Sequence, residues 1–501
     1  MADVTENPPL ASYYAALVGS VAGWSERALH LAFLVPALAV VLGTYRLALK
    51  VTRFPLLAAL ATLLTPGVLV SATSVMCDTM MVAFWVWAVV LWAEGLDPFK
   101  PSYLLAAGVL ITASALTKYY GAALIPLLAA YSLVRLRRSG WWMFFFLIPV
   151  LTLGAYEIWT AHLYGHGLMG AAATFAATQR ETQQGSTIAR TLVSLSFAGG
   201  CAASALALSP IVWPWKRLLA GILPSVFAAF ALIFESVPFG MRVGGEYAAH
   251  SLKVHWMLTS MQLTLCILSA LAMVALAIAE VWGHWRDATS WLLALWVLGT
   301  LYFAGFVNWT VNARSVLPLI PAVGLLVFRR LERVPQVLPP RASFFGAVAG
   351  LTIAGVIGLL VTISDFTWAN SAREAAHLVY KKTRAERGRV YFVGHWGFQY
   401  YMQALGFTPG DELQYKLSPG DIIVVPMNNT ELARTPRGIV LSRQEELELL
   451  KHNIAATMSV DLGAGFYSSM WGPLPFSFGP VPPERYELLR VSRDNGASAA
   501  K

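Results

Sequence analysis

Long apolar runs separated by short polar loops fill the chain to about residue 365, and then stop. The runs fall near 29–49, 55–73, 80–93, 103–117, 119–134, 141–160, 190–211, 218–234, 255–280, 290–307, 315–328 and 343–364. A helix needs about 20 apolar residues to cross a bilayer, and shorter runs are accommodated by bilayer thinning or by packing within the protein. The pattern predicts a mainly α, polytopic transmembrane bundle of about twelve helices over residues 29–364. Residues 1–28 differ: Ala11 to Trp24 is amphipathic and suits a helix lying in the membrane interface. Beyond 365, Arg389–Gly394, Asp421–Pro426 and Gly438–Ser442 read as strands, and 397–405 and 443–452 as helices. Residues 365–501 are therefore expected to form a small soluble α/β domain. In it Pro473, Pro475, Pro480, Pro482 and Pro483 mark an extended segment before a frayed tail from Asn495 to Lys501.

Composition sharpens this picture. Hydrophobic residues make up 57% of the chain and charged ones only 13%, against roughly 25% in soluble proteins. The net charge of +9 first suggests nucleic acid, but many basic residues sit in short loops between spans, where they set topology. Arg46, Lys50, Arg53, Lys100, Arg135, Arg137, Arg138, Lys216, Arg217, Arg286, Arg329, Arg330, Arg333 and Arg341 occupy alternate loops. The positive-inside rule makes those loops cytoplasmic and puts residues 1–28 and 365–501 on the external face. Cys77, Cys201 and Cys266 lie in or beside apolar segments, so no disulfide framework is implied. The first thirty residues lack the pattern of a cleavable signal peptide. An external N-terminus without one predicts a further span upstream of Met1.

Polar groups at the rims of apolar spans are costly and mark candidate sites. Four places qualify, all on the expected external side. Glu6-Asn7-Pro8-Pro9-Leu10 starts a helix. Asp78 is the sole carboxylate between Glu26 and Glu94; it suits either a helix cap or an active site. Lys118 in Thr117-Lys118-Tyr119-Tyr120-Gly121 is a point charge suited to phosphate, or a lysine snorkelling to the interface. Arg314 follows Asn308-Trp309-Thr310-Val311-Asn312-Ala313 and precedes Leu317-Pro318-Leu319-Ile320-Pro321. The loops at 161–189 and 235–254 add His162, His166, Arg180, Glu181, Arg242, Glu246, His250 and Lys253, ranked lower because loop polar groups are usually just solvated. No P-loop, dinucleotide fingerprint, HExxH or CxxC is present. No metal site is assigned, and the sequence leaves open whether a divalent metal takes part.

These motifs, in this order, resemble the lipid-phosphosugar-dependent glycosyltransferases of the C-type fold, in the branch with protein O-mannosyltransferases and the aminoarabinose transferase of lipid A. The resemblance covers roughly residues 1–330. It rests on Pro8-Pro9-Leu10, on Ser74-Val75-Met76-Cys77-Asp78, on Leu116-Thr117-Lys118 and on Arg314 with Leu317-Pro318-Leu319-Ile320-Pro321. It implies transfer of a sugar from a polyprenyl-phosphate donor to an external lipid, glycan or protein acceptor, in the bacterial inner membrane, with membrane lipids but no nucleic acid as partners. Under it, Asp78 and Glu6 are the candidate catalytic carboxylates. Lys118, Arg314 and Tyr120 are the candidate donor-phosphate ligands, and Asn7, Pro8 and Pro9 form the first-loop motif. Two departures stand out. Asn7 replaces the Lys or His that often precedes Pro-Pro in close relatives. The family's principal acid, which follows its first span, would fall upstream of Met1. An inactive relative is therefore one alternative. A transporter or flippase of lipid-linked sugars is another, disfavoured by the absence of an internal repeat and by the one-sided polar rim.

Overall fold

The computed structural model describes residues 7–182, 187–234, 255–333, 340–386, 388–410, 417–429, 439–449 and 453–493. Two compact units emerge: residues 1–362 with 463–477, and residues 363–462 with 478–501.

The first unit is helical. Its elements are α1 (Leu10–Ala22), α2 (Glu26–Val51), α3 (Pro55–Leu63), α4 (Pro66–Ala72), α5 (Cys77–Leu96), α6 (Pro101–Thr117), α7 (Leu124–Leu136), α8 (Leu147–Tyr164) and α9 (Leu168–Thr182). There follow α10 (Thr187–Cys201), α11 (Ala203–Val212), α12 (Trp215–Phe234), α13 (Trp256–Gly283), α14 (Ala288–Tyr302), α15 (Ala313–Val316), α16 (Leu319–Arg333) and the start of α17 (Pro340–Thr383). Short 3-10 turns at Tyr119–Ala123 and Trp141–Phe146 lead into α7 and α8. Among the described residues, eight helices are long and apolar enough to cross a membrane, or ten if each of two bent pairs counts once. The polytopic fold class is as expected, but the twelve predicted runs are not twelve unbroken spans.

The physical reasons are local. Pro55 and Pro66 each begin a new helix where a missing N–H costs nothing. The Thr65 hydroxyl accepts from the Val68 N–H at 3.3 Å, so α3 and α4 meet at 67°. At Ala202 the backbone leaves the helical region, and α10 and α11 meet at 79°. Helices α6 and α16 reach only 17 and 15 residues. Buried hydroxyls inside the spans, such as Thr44, Thr112, Ser132 and Thr300, donate to carbonyls of their own helix four residues back. They are satisfied locally and are not sites. Helix α1 covers the amphipathic stretch: Tyr13, Leu17 and Val21 are exposed along one stripe, while Tyr14 Oη donates to Ala32 O at 2.7 Å.

The boundary of the second unit falls inside α17, a 44-residue helix that continues well past the predicted end at 364. The unit is built on a five-stranded sheet of β1 (Val390–Phe392), β2 (Thr408–Pro409), β3 (Ile422–Pro426), β4 (Ile439–Leu449) and β5 (Glu484–Arg493), ordered β2-β1-β3-β5-β4. β2, β1 and β3 are parallel, and β5 runs antiparallel to β3 and β4. Helix α18 (Trp396–Ala404) inserts Phe398 and Met402 into a core with Phe392, Val424, Leu447 and Leu488. The small α/β character is as expected, with two corrections. Residues 443–452 read as a helix from their Glu and Leu content, yet 443–449 extend as part of β4. Alternation decides it: Leu447 and Leu449 are buried on one face, and opposing charges such as Arg443 and Glu487 pair across the ladder at 3.5 Å. β5 itself went unpredicted, because Glu484–Arg493 is half charged and follows a proline run.

Candidate active site at one rim of the membrane unit

Helix direction sorts the polar residues of the membrane unit into two ends. Helix α5 runs from Asp78 to Glu94, and α14 runs from Asp287 towards Asn308. Asp78, Lys118, Arg190, Asn308 and Arg314 thus share one end. Glu94, Glu280, Asp287 and Arg329 share the other.

Asp78 is the second residue of α5, where the helix dipole favours negative charge. The residue before the helix, Met76, offers no side-chain cap. The carboxylate is 1% exposed. Its Oδ1 takes the Lys118 ammonium at 2.6 Å, and the Cys77 thiol lies 3.9 Å from Oδ2. The field of the Arg314 guanidinium reaches the same carboxylate. Lys118 ends α6 in an extended conformation. Its N–H donates to Ser114 O at 3.0 Å, and its carbonyl accepts from Gly121 N–H at 2.8 Å. A Cβ on Gly121 would lie 2.3 Å from the Ser114 carbonyl carbon. Only glycine lets the turn fold back tightly enough to aim Lys118 at Asp78.

Arg314 sits on α15, a single turn held by a knot of amides and hydroxyls. Asn312 Oδ1 accepts from Ser315 N at 2.8 Å and Ser315 Oγ at 2.7 Å. Asn308 Nδ2 donates to Thr310 O at 2.9 Å and Ser315 Oγ at 2.6 Å. Arg190 Nη2 donates to the carbonyls of Asn308 and Trp309 at 2.9 and 3.2 Å. The segment 463–477 joins this knot from far along the chain. Ala313 N donates to Phe466 O at 2.9 Å, and Ser469 N to Val311 O at 2.8 Å. Thr310 Oγ1 lies 3.3 Å from both Ser468 Oγ and Ser469 Oγ. Gln262 Nε2 reaches Ser477 Oγ at 3.0 Å.

Arg314 itself is sparsely bonded. Its Nη2 reaches Tyr467 O at 3.4 Å, its Nε is buried without a hydrogen-bond partner, and no carboxylate of the described residues pairs with it. One carboxylate against two cations leaves the cluster positively charged. Such a set can hold a tetrahedral dianion, or stabilise negative charge developing on a leaving phosphate.

The structure thus brings Asp78, Lys118 and Arg314 together. Tyr120 stands apart: it is 6% exposed, its ring stacks on Phe303 at 3.7 Å, and its hydroxyl is hydrogen-bonded to Thr300. It buttresses the site from the core and is not presented to a ligand. Asn7 is exposed, Pro8 is buried, and Pro9 immediately precedes α1. Glu6 and the loop residues Arg242, Glu246, His250 and Lys253 lie outside the described residues. His162 closes α8 and His166 follows it, with Arg180 and Glu181 at the end of α9; none of these four is bonded to the Asp78 cluster. Among the described residues no group of three or more His, Cys, Asp or Glu is placed to hold a metal. Sequence reasoning missed the bracing role of Arg190 and the return of 463–477 to the membrane unit. The latter's one outward sign was a glycine- and proline-rich run with too little charge for a solvated loop.

Residues 6–159 match the family described as dolichyl-phosphate-mannose-protein mannosyltransferase. No curated protein matches. Two crystal structures of ArnT from Cupriavidus metallidurans align at a distance. The form bound to undecaprenyl phosphate shows 15% identity over 84% of this chain and 83% of that one, with a TM-score of 0.37. The apo form shows 16% identity over 84% and 82%, with a TM-score of 0.36. The resemblance drawn from the motifs is therefore borne out by a family match over residues 6–159, the stretch that carries Asn7-Pro8-Pro9, Asp78 and Lys118.

Proposed function

We propose that this protein is a multi-pass membrane glycosyltransferase that moves a sugar from a polyprenyl-phosphate donor to an acceptor hydroxyl at the extracytoplasmic face of a bacterial inner membrane. The family match supports the transferase and the lipid-linked donor. The observation that carries the site is the Arg314 guanidinium, unpaired with any described carboxylate, beside the Lys118–Asp78 ion pair. In this reading the donor phosphate sits between Lys118 and Arg314. The bond from the anomeric carbon to the phosphate oxygen breaks, and the two cations take up the charge left on phosphate. The acceptor oxygen forms the new bond to the anomeric carbon, and its proton passes to the released phosphate, which gains a negative charge as the old bond breaks. Asp78, buried and ion-paired, positions the Lys118 ammonium; it is too enclosed to take the acceptor's proton. An apolar groove of about 200 Å³, lined by Thr191, Leu195, Leu298, Leu301, Tyr302 and Phe306, opens beside the turn that leads to Asn308 and suits the first prenyl units. The transporter alternative is not favoured. The test is transfer of radiolabelled sugar from a polyprenyl-phosphate donor by the chain reconstituted in liposomes. Transfer that Lys118→Met abolishes supports the proposal. Movement of the lipid across the bilayer without transfer would overturn it.

A further inference from the structure

The end of the membrane unit opposite Asp78 holds a pair of cations with no carboxylate partner among the described residues. Trp213, in the turn between α11 and α12, is 7% exposed. The Arg217 guanidinium lies 5.6 Å from its ring centre and the Arg330 guanidinium 5.2 Å. The two cations act on one another electrostatically. Arg330 Nε is buried with no hydrogen-bond partner.

The carboxylates at this end are already engaged. Glu94 pairs with Arg46 and Lys50, and Asp97 with Arg135. Glu280 and Asp287 together take Arg329 and Arg333. Glu332 accepts from Thr52 and from the Arg53 N–H. Arg330 feels the field of Glu280, but that carboxylate is matched by two other arginines. Two guanidiniums on one indole with no matching carboxylate repel each other, and partial burial at a lipid boundary raises the cost. Cation–π contact with Trp213 offsets part of this but leaves the net charge unchanged.

Lys216, beside Arg217, heads a face of α12 on which Leu219, Leu223 and Phe227 are all exposed, an apolar stripe that begins about one turn beyond the cluster. We infer that the Arg217–Trp213–Arg330 cluster binds the phosphate headgroup of an anionic phospholipid, whose acyl chain lies along that stripe. A phosphodiester supplies the missing negative charge and accepts from the bare Arg330 N–H. The continuous apolar track distinguishes a lipid from free phosphate. Basic clusters of this kind between helices are favourable sites for acidic headgroups.

The experiment is thermal melting of the full chain in uncharged detergent with added dioleoyl phosphatidylglycerol, dioleoyl phosphatidylcholine or inorganic phosphate. The expected result is a rise of several degrees with phosphatidylglycerol alone. The rise is lost in the Arg217→Gln/Arg330→Gln variant and kept in Arg137→Gln/Arg138→Gln, which removes equal charge at the same end. Native mass spectrometry of the wild type, in which phosphatidylglycerol should displace phosphatidylcholine, tests the site even if the variant does not fold. An equal rise with phosphatidylcholine, a full rise with inorganic phosphate, or a rise that survives in the Arg217/Arg330 variant would overturn the inference.

Discussion

The two polar ends of the membrane unit solve the same problem in opposite ways. At one, Glu280 is fully buried and takes Arg329 Nε at 2.7 Å, Arg333 Nη1 at 2.5 Å and Ser290 Oγ at 3.0 Å. Asp287 completes a set of two acids and two arginines. At the other, Asp78 takes Lys118, and Arg314 is left with a single long bond to a carbonyl. A buried charge without a partner costs about 2.5–3.5 kcal/mol or more in this setting. Closed networks are what stability alone would produce. Of these two clusters only the one at Asp78 leaves an arginine, Arg314, without a carboxylate of its own, and that difference separates scaffold from site; Arg217 and Arg330, at the same end as Glu280, stand outside its network. An apolar groove does not make the distinction: the larger one, lined by Ala277, Trp282, Trp285 and Leu298 among others, lies at the closed end.

The contrast is broken most forcefully at the closed end. Glu280→Gln leaves Arg329 and Arg333 short of an anion, and breaking a buried pair costs about 3–5 kcal/mol. Thermal melting should show this loss, while the KM for donor of the remaining folded enzyme stays unchanged. A shifted KM would mean that the two ends are coupled. At the open end, the double variant Asp78→Asn/Lys118→Met replaces an ion pair with neutral groups of similar size. It should fold, yet lose transfer by roughly 10²–10³-fold, the scale of removing one positioned charge-stabilising donor. Retained transfer with normal folding would place the chemistry elsewhere. Ser469→Pro deletes the N–H bonded to Val311 O. Loosening Arg314 this way should raise KM for donor about tenfold, the worth of one good hydrogen bond, with less effect on melting.

The smallest effect lies outside the membrane unit. Burial pushes the Glu484 carboxyl up to about 7, against the opposing hydrogen bonds of Asn428 and Trp368. The folded state thus keeps its proton above the ordinary carboxylate range. Stability of the carboxy-terminal unit is highest below the unfolded value, falls as pH rises through about 7, and is level above it. Protection of the amides across Glu484–Arg493, after correction for the intrinsic base-catalysed exchange rate, should fall between pH 5 and pH 8, and Glu484→Gln should flatten that fall.

Much of this was legible in the sequence, for definite reasons. Apolar period and length mark every span, because a long unbroken apolar run can satisfy its own backbone in a bilayer only as a helix. The break at Ala202 has only Gly199-Gly200 as a local sign, a pair that also occurs inside unbroken spans packed closely on a neighbour. Asp78, Lys118 and Arg314 stood out because isolated charges at the rims of apolar runs need a reason to exist. Tyr120 was misread for the same proximity: a phenol beside Lys118 in sequence points into the core once the 3-10 turn forms. The strand over 443–449 and the return of 463–477 depended on partners far along the chain, β5 and the Thr310–Ala313 backbone, which the local patterns do not identify.

Binding of undecaprenyl phosphate to the wild type and to Arg314→Gln, measured by isothermal calorimetry in the same detergent, decides whether the open guanidinium is a phosphate ligand. Affinity weakened at least about tenfold, the worth of one charge-assisted hydrogen bond, with an unchanged melting temperature is the expected result. Equal affinity in the two proteins would contradict it.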